Sequence, residues 1–597
     1  MDEALNFIEY AGTIDKEFLQ KALRMFDVYK ADKEQLVQRV KQNENWYKKW
    51  HLVNEREPID REKGELNTAT AFVFSAIENK YADAVDNFPM PNILEREPSD
   101  SETASILSKV VPVQLEISDF KACYKKNCRK KLKHGTAVYG VFYNQESDDI
   151  QIKAINMMSI YCDMHLENVQ DSQFLFITNA VDNQLLREQY PEFKNLFVGD
   201  ATVESYSDTS TVYDRTEVID CYYKKPGKGV QLIKFVKDTV IDATEDTPGY
   251  EEGLYRHGMY PVVFDCLYPE EDCPFGYGIV DVIRNPQRYI DKLDAIILKN
   301  SMMAGQQRWF AKENGAVNMD QFQDFSNPII TVQGSLDETH LKPFQAQALP
   351  NQILTHRNEK IAELKEVIGN RDFQQGGTAN GVTAASAITM LQQAGEKLSR
   401  AMIDDSYDAY KKIVVLCIEL MREFYKEERI YRITNDQGEK AFAALSNDML
   451  LKAEEERDAF GFPIGTIYRN AEFDVEVLPQ RQNPFTREMN NQTVMTLYQA
   501  GFFNPQNLEM SLVALEAMQF DGKEKIMQRM QEINAQNQLV QEQMAQAQAA
   551  ASGGGAGQFA PTELYAEPGL AGLMDPAGVS APGTEEFVPI DIGQGTI

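Results

Sequence analysis

At 597 residues, 43% of them hydrophobic and 10% aromatic, the chain is long enough for several domains and has apolar material for their cores. Its formal net charge of −31 excludes a protein that grips nucleic acid by general phosphate neutralisation, which needs a Lys/Arg excess. No apolar run approaches the length of a membrane-spanning helix. The acidic start MDEALNFIEY lacks the basic and apolar regions of a signal peptide, and the seven cysteines are scattered without CxxC spacing. Synthesis in a reducing cytoplasm is therefore expected.

Residues 14–50 carry helical periodicity through Phe18/Leu19, Ala22/Leu23, Phe26, Leu36/Val37 and Val40. Residues 67–87 predict an amphipathic helix, followed by the Pro-bounded extended piece FPMPNIL, and 101–134 predict helix again. A strand-rich section follows at 136–143, 150–155, 173–178, 218–223 and 230–236, with one helix near 182–192; the mixture argues for an α+β class.

Asn285-Pro286 reads as a helix start, with Tyr289/Ile290, Leu293, Ile296/Ile297 and Met303 at helical spacing up to about residue 306. A second rod of similar length opens at Pro350 and ends at Gly369, a C′ glycine. The insertion 306–349 holds RWFA, a short helix capped by Asn318 and the β-branched run IITV, and reads as a small α/β lobe. NRDFQQGGTANGV then leads into a helix expected from Thr383 to about Lys426, and 464–478 return to strand. The sheet domain is thus expected to draw on both sides of the central stretch. Residues 485–549 are helical in pattern, and the Gly/Ala/Pro-rich tail from Ser552 carries acidic but no basic residues, the composition of a disordered segment.

Chemistry-bearing patterns are sparse. Walker A, HExxH, GxSxG and strand–GxGxxG–helix signatures are all missing from the sequence. Cys162-Asp163-Met164-His165 has metal-capable side chains in a row, but strand neighbours point to opposite faces, so no metal and no cofactor is expected. Acidic pairs such as Asp404-Asp405 and Glu270-Glu271-Asp272 are the residues a two-metal nuclease would use. The basic run Lys121–His134 offers either a solvated, ion-paired helix face or a phosphate-contacting one. The loop with Gly376-Gly377 and Gly381 is either a flexible helix connection or a mobile element that touches a polyanion, with Arg371 available for one phosphate.

In order and spacing these pieces resemble the portal proteins of tailed double-stranded DNA bacteriophages. GELNTATAFVFSAIENKYADAVDNFPMPNILEREPSD (64–100) looks like the family's N-terminal helix and Pro-bounded strand. KHGTAVYGVFYNQESDDIQIKAINMMSIYCD (133–163) looks like its helix–glycine–strand–strand segment. FGYGIVDVIRNPQRYIDKLDAIILKN (275–300) and ALPNQILTHRNEKIAELKEVIG (348–369) look like the two stem helices, and GGTANGVTAASAITMLQQAGEKLSR (376–400) like the tunnel loop entering the long wing helix.

The resemblance implies an N-terminal wing at 1–285, stem helices at 286–305 and 350–369, an α/β clip at 306–349 and a tunnel loop at 370–382. It places the long wing helix and further wing strands at 383–484, a helical crown at 485–551, and leaves 552–597 as the acidic tail. It further implies a ring, expected to be a dodecamer, at one capsid vertex of the virion, with viral double-stranded DNA passing through its channel during packaging and ejection. Terminase, head-completion or adaptor proteins, and the major capsid and scaffolding proteins are the implied partners, with no membrane and no catalytic residue. The DNA-facing loop residues would be Arg371, Phe373, Gln374, Gln375, Thr378 and Asn380; the docking residues of the clip would be Trp309, Phe310, Phe322, Phe325 and Ile329. Phe373 and Arg371 depart from a uniformly smooth polar loop. The competing expectations are a metal-dependent nucleic-acid-processing enzyme using Asp404 and Asp405, and another virion structural protein such as a tail or scaffold component.

Overall fold

The computed structural model describes residues 12–50, 69–206, 208–305, 308–311, 341–344, 349–369, 397–434, 440–457 and 463–481, with a few positions beyond. The described residues fall in a compact unit, 1–500 with 517–520; the rest of the chain forms a second unit that lies, Arg529 apart, outside them. The helices are α1 (Lys16–Asp32), α2 (Glu34–Tyr47), α3 (Phe72–Asp86), α4 (Ser101–Ile117), α5 (Phe120–His134), α6 (Asn183–Gln189), α7 (Ile279–Gly305), α8 (Asn351–Ile368) and α9 (Lys397–Phe424). The strands up to the central helices are β1 (Asn87–Glu95), β2 (Thr136–Asn144), β3 (Asp149–Ile155), β4 (Ile160–Tyr161), β5 (Phe174–Asp182), β6 (Ala201–Glu204), β7 (Thr209–Val212), β8 (Arg215–Lys224), β9 (Val230–Val236), β10 (Thr239–Ala243), β11 (Val262–Cys266), β12 (Tyr268–Glu270) and β13 (Cys273–Tyr277). Those after are β14 (Arg308–Ala311), β15 (Leu341–Phe344), β16 (Arg429–Thr434), β17 (Lys440–Leu445), β18 (Leu451–Arg457), β19 (Pro463–Asn470) and β20 (Phe473–Arg481). The class is mixed α and β, as expected.

The helical periodicity over 14–50 forms two helices, which meet at Lys33. That lysine is 1% exposed and donates to the carbonyls of Met157 at 2.6 Å, of Met158 at 3.3 Å and of Ile160. Burial pushes its ammonium down to about 7. The helical run 101–134 is likewise divided, at Asp119, whose φ of 51° no helix interior allows.

A five-stranded antiparallel sheet runs β10-β9-β8-β5-β4. Side-chain alternation explains why its strands read as continuous apolar runs. Phe174, Phe176, Ile219, Cys221, Tyr223 and Phe235 face α1, while Leu175, Ile177 and Tyr222 join the main core on the other side. The main core also gathers α2, α4, α5, α9 and the three-stranded sheet β11-β2-β3, through residues such as Val40, Leu107, Phe120, Tyr139 and Ile413.

Strand β1 pairs with β20, Asn87 opposite Arg481 and Glu95 opposite Phe473. Sequence from both sides of the central stretch therefore meets in one ribbon, as expected. Pro89 and Pro91 are accommodated because a two-stranded ribbon leaves each strand one unpaired edge.

Candidate functional site

The loop residues Arg371, Phe373, Gln374, Gln375, Thr378 and Asn380, and the insertion residues Phe322, Phe325 and Ile329, lie outside the described residues. Trp309 and Phe310 fall on β14, opposite Pro343 and Lys342 of β15. What the structure does describe is how the segments flanking loop and insertion are held.

Helix α7 begins at Ile279, earlier than the Asn285-Pro286 signal suggested, because Ile279, Val280 and Ile283 enter a core with α3 and α5. Pro286 lies inside the helix. Its 27 residues span about 40 Å at 1.5 Å per residue. Helix α8 runs back along it. Ile290 shares a core with Leu364 and Ile368, while farther along α7 Asp294 receives a bidentate pair from Arg357, nearer the start of α8, with Nη2–Oδ2 at 3.2 Å.

The inner half of α7 does something the sequence pattern did not reveal. Helix α3 has no side-chain cap of its own, and α7 supplies one. Gln287 accepts from the Val73 amide at 2.9 Å and donates to the Thr70 carbonyl at 2.7 Å. Asp291 accepts from the Thr70 amide at 2.9 Å and its hydroxyl at 2.7 Å. Both side chains are fully buried. The i, i+4 spacing of Gln287 and Asp291 puts them on one helical face, and that spacing was the available signal. Asp291 and Asp294 of α7 are thus both occupied within the chain.

The expected helix start at Thr383 lies outside the described residues, and the described beginning of α9 is fixed by the same α3. Lys80 donates to the Ser399 hydroxyl at 2.8 Å, which donates to Asp83 at 2.7 Å. Burial lowers the Lys80 pKa and raises that of Asp83. A buried Ser–Lys contact has nucleophile geometry, but Ser399 is 2% exposed and its proton lies on a carboxylate, so substrate has no approach. Two turns on, Ser406 and Asp265 of β11 close around Lys131 of α5, at 2.7 and 2.5 Å.

The basic run Lys121–His134 is α5, and its cations are largely engaged internally. Arg129 makes a bidentate pair with Glu78 at 3.2 and 3.0 Å and lies 3.8 Å from the Tyr81 ring centroid. Lys130 reaches the Ile155 carbonyl, and Lys133 reaches Glu44 at 2.5 Å. Burial opposes the Glu44 carboxylate, yet His134 and Lys133 beside it hold its pKa well below the usual range. Burial pushes His134 down to about 4, so its ring, stacked on Tyr206, is neutral at pH 7.

The same corner requires glycine. Gly135 ends α5 at φ +91°, and a Cβ there would lie 2.4 Å from the Tyr277 carbonyl carbon; at Gly278 one would lie 2.5 Å from the Lys133 carbonyl oxygen. The chain entering α7 thus runs against the end of α5.

No group of acidic, histidine and cysteine side chains among the described residues could hold a metal. Burial raises the Cys162 thiol to about 12, and Asp163 accepts from the His165 amide. Asp404 and Asp405 are both exposed on α9. No helix among the described residues is long and apolar enough to cross a membrane.

The outward side of the helix pair carries uncovered apolar residues. Val282, Tyr289 and Ile296 follow one another at seven-residue intervals on α7, with Tyr289 59% exposed, and Leu354 and Val367 lie exposed on α8. Residues seven apart lie on one face of a helix.

A family model described as phage P22-like portal protein matches residues 82–558. No curated protein matches the chain.

Proposed function

Because the chain belongs to the phage P22-like portal protein family, we propose that it forms a ring, expected to be a dodecamer, at one vertex of a phage capsid. The ring's channel passes the double-stranded genome during packaging and ejection. Helices α7 and α8 are its stem, residues 306–349 the clip that docks terminase and then head-completion proteins, and 370–382 the loop facing DNA. Residues 485–551 form the crown, and the wing meets capsid and scaffolding proteins. The work is geometric, with no catalytic step.

The observation that carries this reading is the exposed stripe Val282–Tyr289–Ile296 on a helix whose opposite side is engaged within the chain through Ile290, Asp291 and Asp294. A helix with a second apolar stripe needs a second partner, and a closing heterologous interface supplies it from the next copy. The net charge of −31 suits a wall past which a polyanion must slide, since each neutralised phosphate adds affinity that slows passage.

Electron microscopy of the purified protein tests the proposal. Closed rings with a central hole are expected, and Tyr289→Asp should leave a folded monomer. A wild-type protein that stays monomeric at micromolar concentration, with or without capsid protein, would sink it.

A further inference from the structure

Strand β11 is the open edge of the sheet β11-β2-β3. It pairs with β2 with Val263 opposite Tyr139 and Asp265 opposite Ala137. The flanking bonds from Val141 N–H to the Pro261 carbonyl and from Leu267 N–H to the Gly135 carbonyl, 2.9 and 2.8 Å, fix the parity. Odd-numbered residues turn their main-chain groups toward β2, so those of Val262, Phe264 and Cys266 turn outward. Gln170 satisfies the Val262 carbonyl at 3.4 Å. Beyond it no strand lies along the outward side of Phe264 and Cys266 among the described residues.

A groove of about 650 Å³ follows this edge, with β11 on one wall and Ala409, Val415 and Leu416 of α9 on the other. Apolar surface dominates it, and the carboxylates of Glu167, Asp405 and Asp408 stand on it, with Lys411 and Lys412. An unmatched strand edge beside an apolar groove is the geometry that accepts an added strand.

The same chain carries a matching donor. Among the described residues the ribbon β16–β17 has no further strand on either side. Its inner face, Tyr431, Ile433, Ala443 and Leu445, is buried in the main core. Its outer face presents Ile430 and Phe442, 72% and 73% exposed, with Arg432 directly opposite Phe442. Two apolar side chains and a cation answer an apolar groove with carboxylates on it.

We propose that the β16–β17 ribbon of one copy lies along the β11 edge of the next, extending its sheet and seating Ile430 and Phe442 against α9. The inference rests on the ring reading, because acceptor and donor are different surfaces of one chain, as a heterologous interface requires.

Amide hydrogen exchange on the full-length wild-type protein tests it, comparing ring and monomer fractions identified by electron microscopy. The Phe264 and Cys266 amides are expected to exchange at least about 100-fold more slowly in rings. Phe442→Asp, at an exposed position, should keep the wild-type circular dichroism and melting while losing rings at least about tenfold. Rings whose Phe264 amide exchanges as in the monomer overturn the inference and leave the ring reading standing. Phe442→Asp rings with Phe264 still protected overturn the choice of donor ribbon. Absence of rings from the wild type overturns both. Protection that appears only after another virion protein is added overturns the second copy as occupant.

Discussion

Gln287 on α7 accepts a hydrogen bond from the main-chain amide of Val73, at 2.9 Å, and so caps a helix more than two hundred residues away in sequence. With Asp291 beside it, the side chains of one long helix complete the start of another. Helix α3 in turn holds Ser399 at the head of α9. Both ends of the central stretch are thus tied to one helix.

Replacing Gln287 by Ala leaves the buried Val73 amide and the half-buried Thr70 carbonyl without this partner. The expected loss is roughly 1–3 kcal/mol, the cost of unmade buried hydrogen bonds, with a similar loss for Asp291→Ala. Urea denaturation of the monomer measures both. The double variant should lose less than the sum, because each alone already frees the first turn of α3.

The Lys131–Asp265 pair is 2% and 3% exposed. Asp265→Ala strands a buried ammonium and should cost about 3–5 kcal/mol. Lys131→Met with Asp265→Leu removes both charges and should recover most of that in thermal melts. A double variant no more stable than the single one would mean that Ser406, not the ion pair, fixes α9 there.

Stability also depends on pH through Glu423. Burial raises its carboxyl to about 7, against a contact with the Arg256 amide that lowers it. A carboxyl with a raised folded-state pKa binds its proton more tightly in the native chain. Its contribution is therefore complete below about pH 4.5 and lost as pH rises to 7. Relative to Glu423→Gln, whose side-chain oxygen still accepts from Arg256, the wild type should lose about 2–3 kcal/mol between pH 4.5 and 7.5. Equal slopes for the two proteins would refute this.

Deleting Gln374–Asn380 should leave rings intact in micrographs and impair genome packaging or retention. The clamp of Ser399 on Lys80 and Asp83 lies outside the deletion and is kept. Loss of rings would instead assign the loop to assembly.

Periodicity made the helices of the core legible, since Leu107, Val110 and Val111 or Ile413, Val414 and Cys417 declare a buried face by spacing alone. It also located the strands whose two faces are both apolar. It passed over β11, because PVVFDC is short and its Asp265 looks like a solvent residue until Lys131 is placed against it. It passed over β16 and β17, whose apolar residues point both inward and outward. The capping role of Gln287 and Asp291 was legible only as an i, i+4 spacing on one face, since a polar residue on a helix carries no mark of the distant amide it meets. The resemblance to a portal rested on order and spacing across the chain, information no single residue holds.

The β1–β20 ribbon joins residues 87–95 to 473–481, and this sets an order of events during synthesis. At about 5–20 residues per second, the second strand leaves the ribosome roughly 20–80 s after the first. Until then β1 has no strand partner and the main core lacks Phe473, Val475 and Val477, which pack against it. Closure is thus a late, non-local step of the slow kind. A chain cut short before residue 473 cannot close this ribbon, so an unfinished copy carries an open strand edge and an incomplete core.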